Sequence, residues 1–179
     1  LIASVPPRKE EMMRSINYYC NVLPKLSVTF RLGEEFTGED YTSFDEVIVA
    51  TGAANAMIPV PGSTLPTVTS AWDVLAKKSI VFGNVSVIGG GLVGVETAEY
   101  LASRGCKVTI VEMMDTIAKE ESSTVLPTLM SELNRYQVTM LTSAKLSEIK
   151  ENCVIVEKSA ENEAPAQLTI PSDFVVMAV

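Results

Sequence analysis

An α/β fold, with a parallel sheet followed by an antiparallel β-meander, is the fold class that this 179-residue sequence predicts. Three observations point to it. Between Val85 and Leu141, short apolar runs alternate with segments of helical period in the order strand, helix, strand, helix, strand. That is the βαβαβ pattern of a parallel sheet, with right-handed crossovers expected. After Leu141 the helical period disappears, and short strand-like runs follow one another across polar turns, which reads as a meander. Hydrophobic residues make up 47% of the chain and charged residues 20%, the composition of a globular chain able to bury a core. The apolar runs are strand-sized, well short of the roughly 20 residues that span a bilayer, so neither a membrane span nor a signal peptide is expected.

The elements are justified in chain order. In residues 8–23, Met12, Ile16, Tyr19, Cys20 and Leu23 recur at helical spacing and Pro24 ends the run, which predicts an amphipathic helix. Val28–Leu32 and Phe44–Gly52 read as strands, separated by the polar stretch 34–43, and the second carries the apolar core Val47-Ile48-Val49 into an Ala-Thr-Gly turn. The prolines and glycines of 52–62 cannot continue a helix or a central strand, so this segment is expected to cross between two lobes. Ser70 with Asp73 three residues on predicts a capped helix over 70–78. The strands 85–88, 107–111 and 138–141 then alternate with helices over 92–104 and 125–135. The charged run 119–123 reads as a solvated loop before a helix capped by Ser122 or Ser123. Runs around 144–151, 153–158 and 167–171 form the meander, and 173–179 adds a last apolar strand. Trp72, Tyr18 and Tyr19 are read as packing residues.

Composition excludes several functions. Fourteen basic residues against 22 acidic ones give a net charge of −8, the wrong sign for a phosphate backbone, so nucleic acid is not an expected partner. Cys20, Cys106 and Cys153 are far apart, with no CxxC pair, which indicates neither a disulfide framework nor a zinc site and fits a reducing cytoplasm. The chain has no histidine, which removes Ser-His-Asp and Cys-His nucleophile chemistry. A cofactor is therefore expected to carry any chemistry. The chain starts without methionine and stops inside an apolar run, which suggests a piece of a longer polypeptide.

The most informative stretch is Val85–Glu112. Gly89, Gly91 and Gly94 form G-x-G-x-x-G directly between a strand and a helix that carries Ala98, Leu101 and Ala102 on one face. In a dinucleotide site Gly89 turns the chain out of the strand, Gly91 lets backbone approach a pyrophosphate, and Gly94 lets the helix pack on the sheet. The phosphates would sit on the free N–H groups and positive dipole end of that helix, over Gly90, Leu92 and Val93. Glu112 closes the next strand, eighteen residues after Gly94, where an acid accepts hydrogen bonds from ribose hydroxyls. A carboxylate there repels a 2′-phosphate, and Met113, Met114 and Asp115 offer no arginine to hold one. NAD(H) is thus favoured over NADP(H). Glu96 alone reads equally well as an ordinary acid near a helix start, and Thr51-Gly52 as an ordinary strand exit.

Together the helix after ASVPPRKEE, the ATG of VIVATG, the crossover IPVPG, the motif GGGLVGVE and the closing DFVVMAV resemble the pyridine nucleotide-disulfide oxidoreductase superfamily. SAWDVL just before the glycine motif is similar to the FAD/NAD-binding module that follows the Old Yellow Enzyme-like barrel in NADH:flavin oxidoreductases of the 2,4-dienoyl-CoA reductase type. The resemblance implies a Rossmann-like NAD(H)-binding domain over residues 65–170, inserted into a partial FAD-binding lobe formed by 1–64 and 171–179. It places Glu96 near the nicotinamide end and Thr51 and Gly52 close to FAD. It also implies that the flavin-binding remainder and the barrel lie elsewhere in the same polypeptide, and that the piece by itself lacks activity. No residue of this segment stands out as an acid-base catalyst. The first GxGxxG, the late Gly-Asp motif and the CxxC of the disulfide reductases are absent from the 179 residues. A disulfide or peroxide reductase with its cysteine outside the segment, and a non-catalytic NAD-binding electron-transfer module, remain as alternatives. Association of copies through exposed apolar faces is also left open.

Overall fold

A computed structural model describes residues 1–38, 41–160 and 163–179. Glu39 and Asp40 of the polar stretch, and Glu161 and Asn162, lie outside the described residues. The elements in chain order are α1 (Met12–Val22), β1 (Val68–Ser70), α2 (Ala71–Leu75), β2 (Asn84–Ile88), α3 (Leu92–Ala102), β3 (Lys107–Val111), α4 (Leu126–Arg135), β4 (Thr139–Leu141), β5 (Ala144–Lys150), β6 (Cys153–Ala160), β7 (Glu163–Pro171) and β8 (Phe174–Met177). Single 3-10 turns occupy Ile2–Ser4, Leu23–Leu26 and Tyr41–Ser43.

The parallel sheet has the order β1-β8-β2-β3-β4 and the meander the order β5-β6-β7. Alternation along each strand of the parallel sheet sends side chains to two different layers. Val85 and Val87 of β2, Val108 and Ile110 of β3, and Val176 of β8 pack with Val95, Ala98 and Leu101 of α3 and Leu129 and Leu133 of α4. Ile88, Val111, Val175 and Met177 point the other way and pack with Ala144, Leu146, Ile149, Val154 and Val156 of the meander. The result is three layers, with helices on one face of the parallel sheet and the meander on the other. Both faces are therefore dry, which is why the strands read as near-continuous apolar runs. Ser86, fully buried on the meander face, resolves its polarity by sharing a 2.5 Å hydrogen bond with the Ser172 hydroxyl.

The structure changes the reading at several places. The final apolar run pairs in parallel with both β1 and β2, so residues 174–177, assigned from sequence to the flavin lobe, lie in the sheet that carries the glycine motif. Strand β1 was not foreseen, because three residues carry no readable period. The expected strands 28–32 and 44–52 do not form. A strand exists only where a neighbour completes its ladder, and no described strand lies beside either segment. Their side chains accordingly stay in solvent, with Ile48 90% and Val49 81% exposed. Helix α1 forms, but none of its residues is buried. Tyr18 and Tyr19, expected to pack, are exposed and meet only edge-on at 5.4 Å. No helix among the described residues is long and apolar enough to cross a membrane.

Helix α2 is shorter than expected, and Lys77 in the left-handed region follows its end. Its start behaves as the sequence requires. The Asp73 N–H donates to Ser70 Oγ at 3.1 Å, and the Ser70 hydroxyl donates to Asp73 Oδ2 at 2.8 Å. Ser70→Ala is expected to lower stability by about 1 kcal/mol, read as a lower urea midpoint at unchanged m-value; an unchanged midpoint would show that the cap contributes nothing.

Candidate dinucleotide-binding site

The carboxyl ends of β8, β2, β3 and β4 lie along one edge of the parallel sheet. From β2 the chain moves out through α3 to β3 and through α4 to β4, while β8 lies on the other side of β2. The strand order reverses at the β2–β8 boundary, where an open α/β sheet is expected to carry its ligand crevice.

The glycine loop fills one wall of this crevice, and its four glycines are there for different physical reasons. Gly89 has φ 106°, a region that L side chains rarely adopt, and its N–H continues the ladder to the Val111 carbonyl at 2.9 Å. A Cβ at Gly94 would stand 1.9 Å from the Gly89 carbonyl oxygen, so α3 can rest on the loop only without a side chain there. A Cβ at Gly90 would meet Ile117 Cγ2 at 2.7 Å and Glu112 Cβ at 2.9 Å. Gly91 differs from all three. Its φ of −69° and ψ of −175° are open to any residue, and a Cβ there would meet nothing within 4 Å.

Leu92 and Val93 open α3, and the first backbone bond of the helix runs from the Val95 N–H to the Gly91 carbonyl at 3.0 Å. Gly91 has no side chain with which to cap the amides that follow it. The amino end therefore presents N–H groups without intrahelical partners, together with the positive end of the dipole. Glu112, just past the end of β3, reaches back to the glycine loop. Its Oε2 accepts the Gly90 N–H at 2.5 Å and its Oε1 accepts the Met114 N–H at 2.6 Å. The Ala118 N–H donates to the Gly90 carbonyl at 2.7 Å, so the loop is held from both sides. A carboxylate has about four acceptor positions, and these two bonds leave each oxygen able to accept another.

Glu96 lies one turn further along α3 and is paired with the Lys9 ammonium. It borders an open groove of about 870 Å³ whose other walls include Ile2, Val5, Met13, Trp72 and Val93. Thr51 and Gly52 are exposed. Among the described residues neither shares a hydrogen bond with the glycine loop, Glu96 or Glu112, and a Cβ at Gly52 would meet nothing within 4 Å. The structure thus gathers Gly89, Gly90, Gly91, Leu92, Val93, Gly94 and Glu112 at one place, sets Glu96 beside it, and leaves Thr51 and Gly52 apart.

Sequence reasoning did not find the residues that join the start of the chain to α3. The Arg8 guanidinium grips the Glu99 carboxylate with two bonds, Nη1 to Oε1 at 2.5 Å and Nη2 to Oε2 at 2.9 Å, and lies 3.8 Å from Glu132 of α4. Donating to the Glu99 carboxylate raises the Arg8 pKa above its already high ordinary value, against the opposing effect of burial. A signal existed: Glu99 falls one turn from Val95 and Ala102, both buried, so an acid there demands a cation.

Comparison with known proteins agrees with this geometry. Residues 11–179 match the family described as pyridine nucleotide-disulphide oxidoreductase. The chain is 49% identical over 180 residues to a bilirubin reductase of Mediterraneibacter gnavus, a match covering 99% of this chain and 27% of that protein. It is 36% identical to an NADH oxidase of Thermoanaerobacter brockii over 83% of this chain and 24% of that one. It therefore spans about a quarter of the length of these relatives. A 2-naphthoyl-CoA reductase structure superposes with a TM-score of 0.86 over 99% of this chain and 26% of the other at 24% identity, a likeness of fold. From its glycine loop to its crossed strand order, this chain belongs to the pyridine nucleotide-disulphide oxidoreductase family, a family of oxidoreductases that use FAD and NAD(P).

Proposed function

We propose that this chain is the NAD(H)-binding portion of an FAD-dependent NADH:flavin oxidoreductase, and that it holds the dinucleotide so that its hydride is presented to a flavin. The flavin-binding remainder and a barrel would come from the rest of a longer polypeptide. Gly91 carries the reading. Folding accounts for glycine at 89, 90 and 94 through backbone conformation or contact, yet at 91 neither applies. What a side chain at 91 would occupy is the open space before the amino end of α3, the space a pyrophosphate needs.

The residues present fit such a ligand. The uncapped amides at Leu92 and Val93 supply donors and positive potential for the diphosphate. Glu112 keeps acceptor capacity for the adenosine ribose hydroxyls while its negative charge disfavours a 2′-phosphate, which supports NAD(H) over NADP(H). When bound, the nicotinamide supplies hydride chemistry. The chain's own contribution is orientation: amides at one end, Glu112 beyond them, and Glu96 on the side facing the Trp72 groove. The free cysteines Cys20, Cys106 and Cys153 suit a reducing cytoplasmic setting.

The test is a titration of the purified protein with NADH followed by nicotinamide fluorescence. Wild type is expected to saturate. Gly91→Ala is expected to weaken binding at least about tenfold, or 1.4 kcal/mol, while its thermal midpoint moves by no more than about 1 °C. Absence of saturable binding by wild type, or equal binding by Gly91→Ala, would defeat the reading.

A further inference from the structure

The groove beside Glu96 is not built by the sheet and its helices alone. One wall, Trp72 and Val93, belongs to α2 and α3; the other, including Ile2, Val5 and Met13, belongs to the start of the chain. These walls are at least 59 residues apart in sequence, from Met13 to Trp72, so something must fix their separation. Ile2 and Val5 pack against the helix-side core, but apolar contact fixes no direction, and no residue of α1 is buried. The specific link is ionic. Two consecutive cations, Arg8 and Lys9, meet two acids one helical turn apart on α3, Glu99 and Glu96.

The two pairs differ in kind. Glu99 is 2% exposed and held by both arms of a guanidinium, a planar fork that fixes direction as well as distance. Arg8 itself adopts φ 66°, outside the ordinary range for an L residue, a conformation kept because the contact over-determines it. The Lys9–Glu96 pair differs at its acid, 17% exposed against 2% for Glu99, and an ammonium imposes little direction. Arg8 therefore sets the register, and Lys9 follows one residue later.

We propose that Arg8 is a positioning residue: by clamping Glu99 it fixes the Leu1–Lys9 segment on α3, sets the width of the Trp72 groove and keeps Glu96 paired at the end where the nicotinamide is presented. The last part rests on the proposed function, whereas the groove geometry does not. Dinucleotide affinity is set mainly at the glycine loop and Glu112, which Arg8 does not touch. Loss of the clamp is thus a loss of alignment, which a bimolecular geometry feels steeply.

Two readouts test this. Trp72 is the only tryptophan in the chain, so its acrylamide quenching reports the groove with no cofactor involved. Arg8→Met is expected to raise the quenching constant about twofold, and Arg8→Lys to raise it less. In the flavin-loaded full-length enzyme, Arg8→Met is expected to slow single-turnover flavin reduction by NADH about tenfold or more, with the NADH dissociation constant within about twofold of wild type. Arg8→Met/Glu99→Met removes the unpaired acid; it is expected to recover the thermal midpoint without recovering the rate. Unchanged Trp72 quenching in Arg8→Met overturns the clamp. Recovery of both midpoint and rate in the double variant overturns positioning in favour of stability alone. If wild type fails to bind NADH, the proposed function falls while the Trp72 measurement still decides the clamp.

Discussion

Gly94→Ala is expected to be among the most damaging single-methyl changes in this protein, costing about 3 kcal/mol or more. Inserting a methyl into a packed site costs typically 1–3 kcal/mol when neighbours can shift. Here the neighbour is backbone: the new Cβ would stand 1.9 Å from the Gly89 carbonyl oxygen. Gly89 in turn is tied to Val111 and abuts Ala178, so α3 must lift from the sheet. Lifting it opens the layer in which Val95 and Ala98 are fully buried. Chemical denaturation should show a large fall in midpoint, and NADH binding should be lost with it because the helix end moves away from the loop. A variant of near wild-type midpoint would mean that α3 is less closely seated than described. The contrast with Gly91→Ala is the informative part: two glycines three residues apart, one needed by the fold and the other, on the proposed function, by the ligand.

Among variants that keep the fold, Glu112→Ala should have the largest effect on binding, lowering NADH affinity about 100-fold, or roughly 2.7 kcal/mol. The substitution removes acceptors for ribose hydroxyls and also frees the Gly90 and Met114 amides that the carboxylate holds. Hydrogen bonds to a charged group contribute about 1.5–3 kcal/mol each, and the glycine loop loses one of its two anchors. Glu112→Gln is not conservative here. A carboxylate accepts at both oxygens, whereas the amide's NH₂ would face one of the two backbone N–H groups. It is expected to lie between wild type and alanine in NADH affinity. Discrimination against NADPH should shrink in both variants as the repelling charge is removed. Parallel titrations with NADH and NADPH check this; an unchanged ratio of the two affinities would remove Glu112 from the specificity argument.

Much of the site was legible because its parts are local. Gly89, Gly90, Gly91, Leu92, Val93 and Gly94 are contiguous, and Glu112 ends the next strand, so βαβ connectivity alone brings it beside the loop. The same locality made β2, α3, β3, α4 and β4 readable from period. Residues 28–32 and 44–52 failed for the opposite reason. The propensity of Val47-Ile48-Val49 is real, but a strand is completed by its neighbour, and no described strand supplies one. The partners of Arg8 and Lys9 were unreadable because the run RKEE looks like a solvated helix start until α3 is seen opposite.

The sequence by itself determined the parallel sheet, the meander after it, the glycine loop and the acid that closes the crevice, since each depends on period, turn chemistry or a short connection. Tertiary structure alone decided that Phe174–Met177 inserts beside β2 and so makes the crevice, that Gly91 has open space where Gly94 has none, and that Arg8 lies on Glu99. These contacts join residues far apart in the chain, or measure the room left between packed atoms. Neither quantity has a period to read: each exists only once the layers have closed.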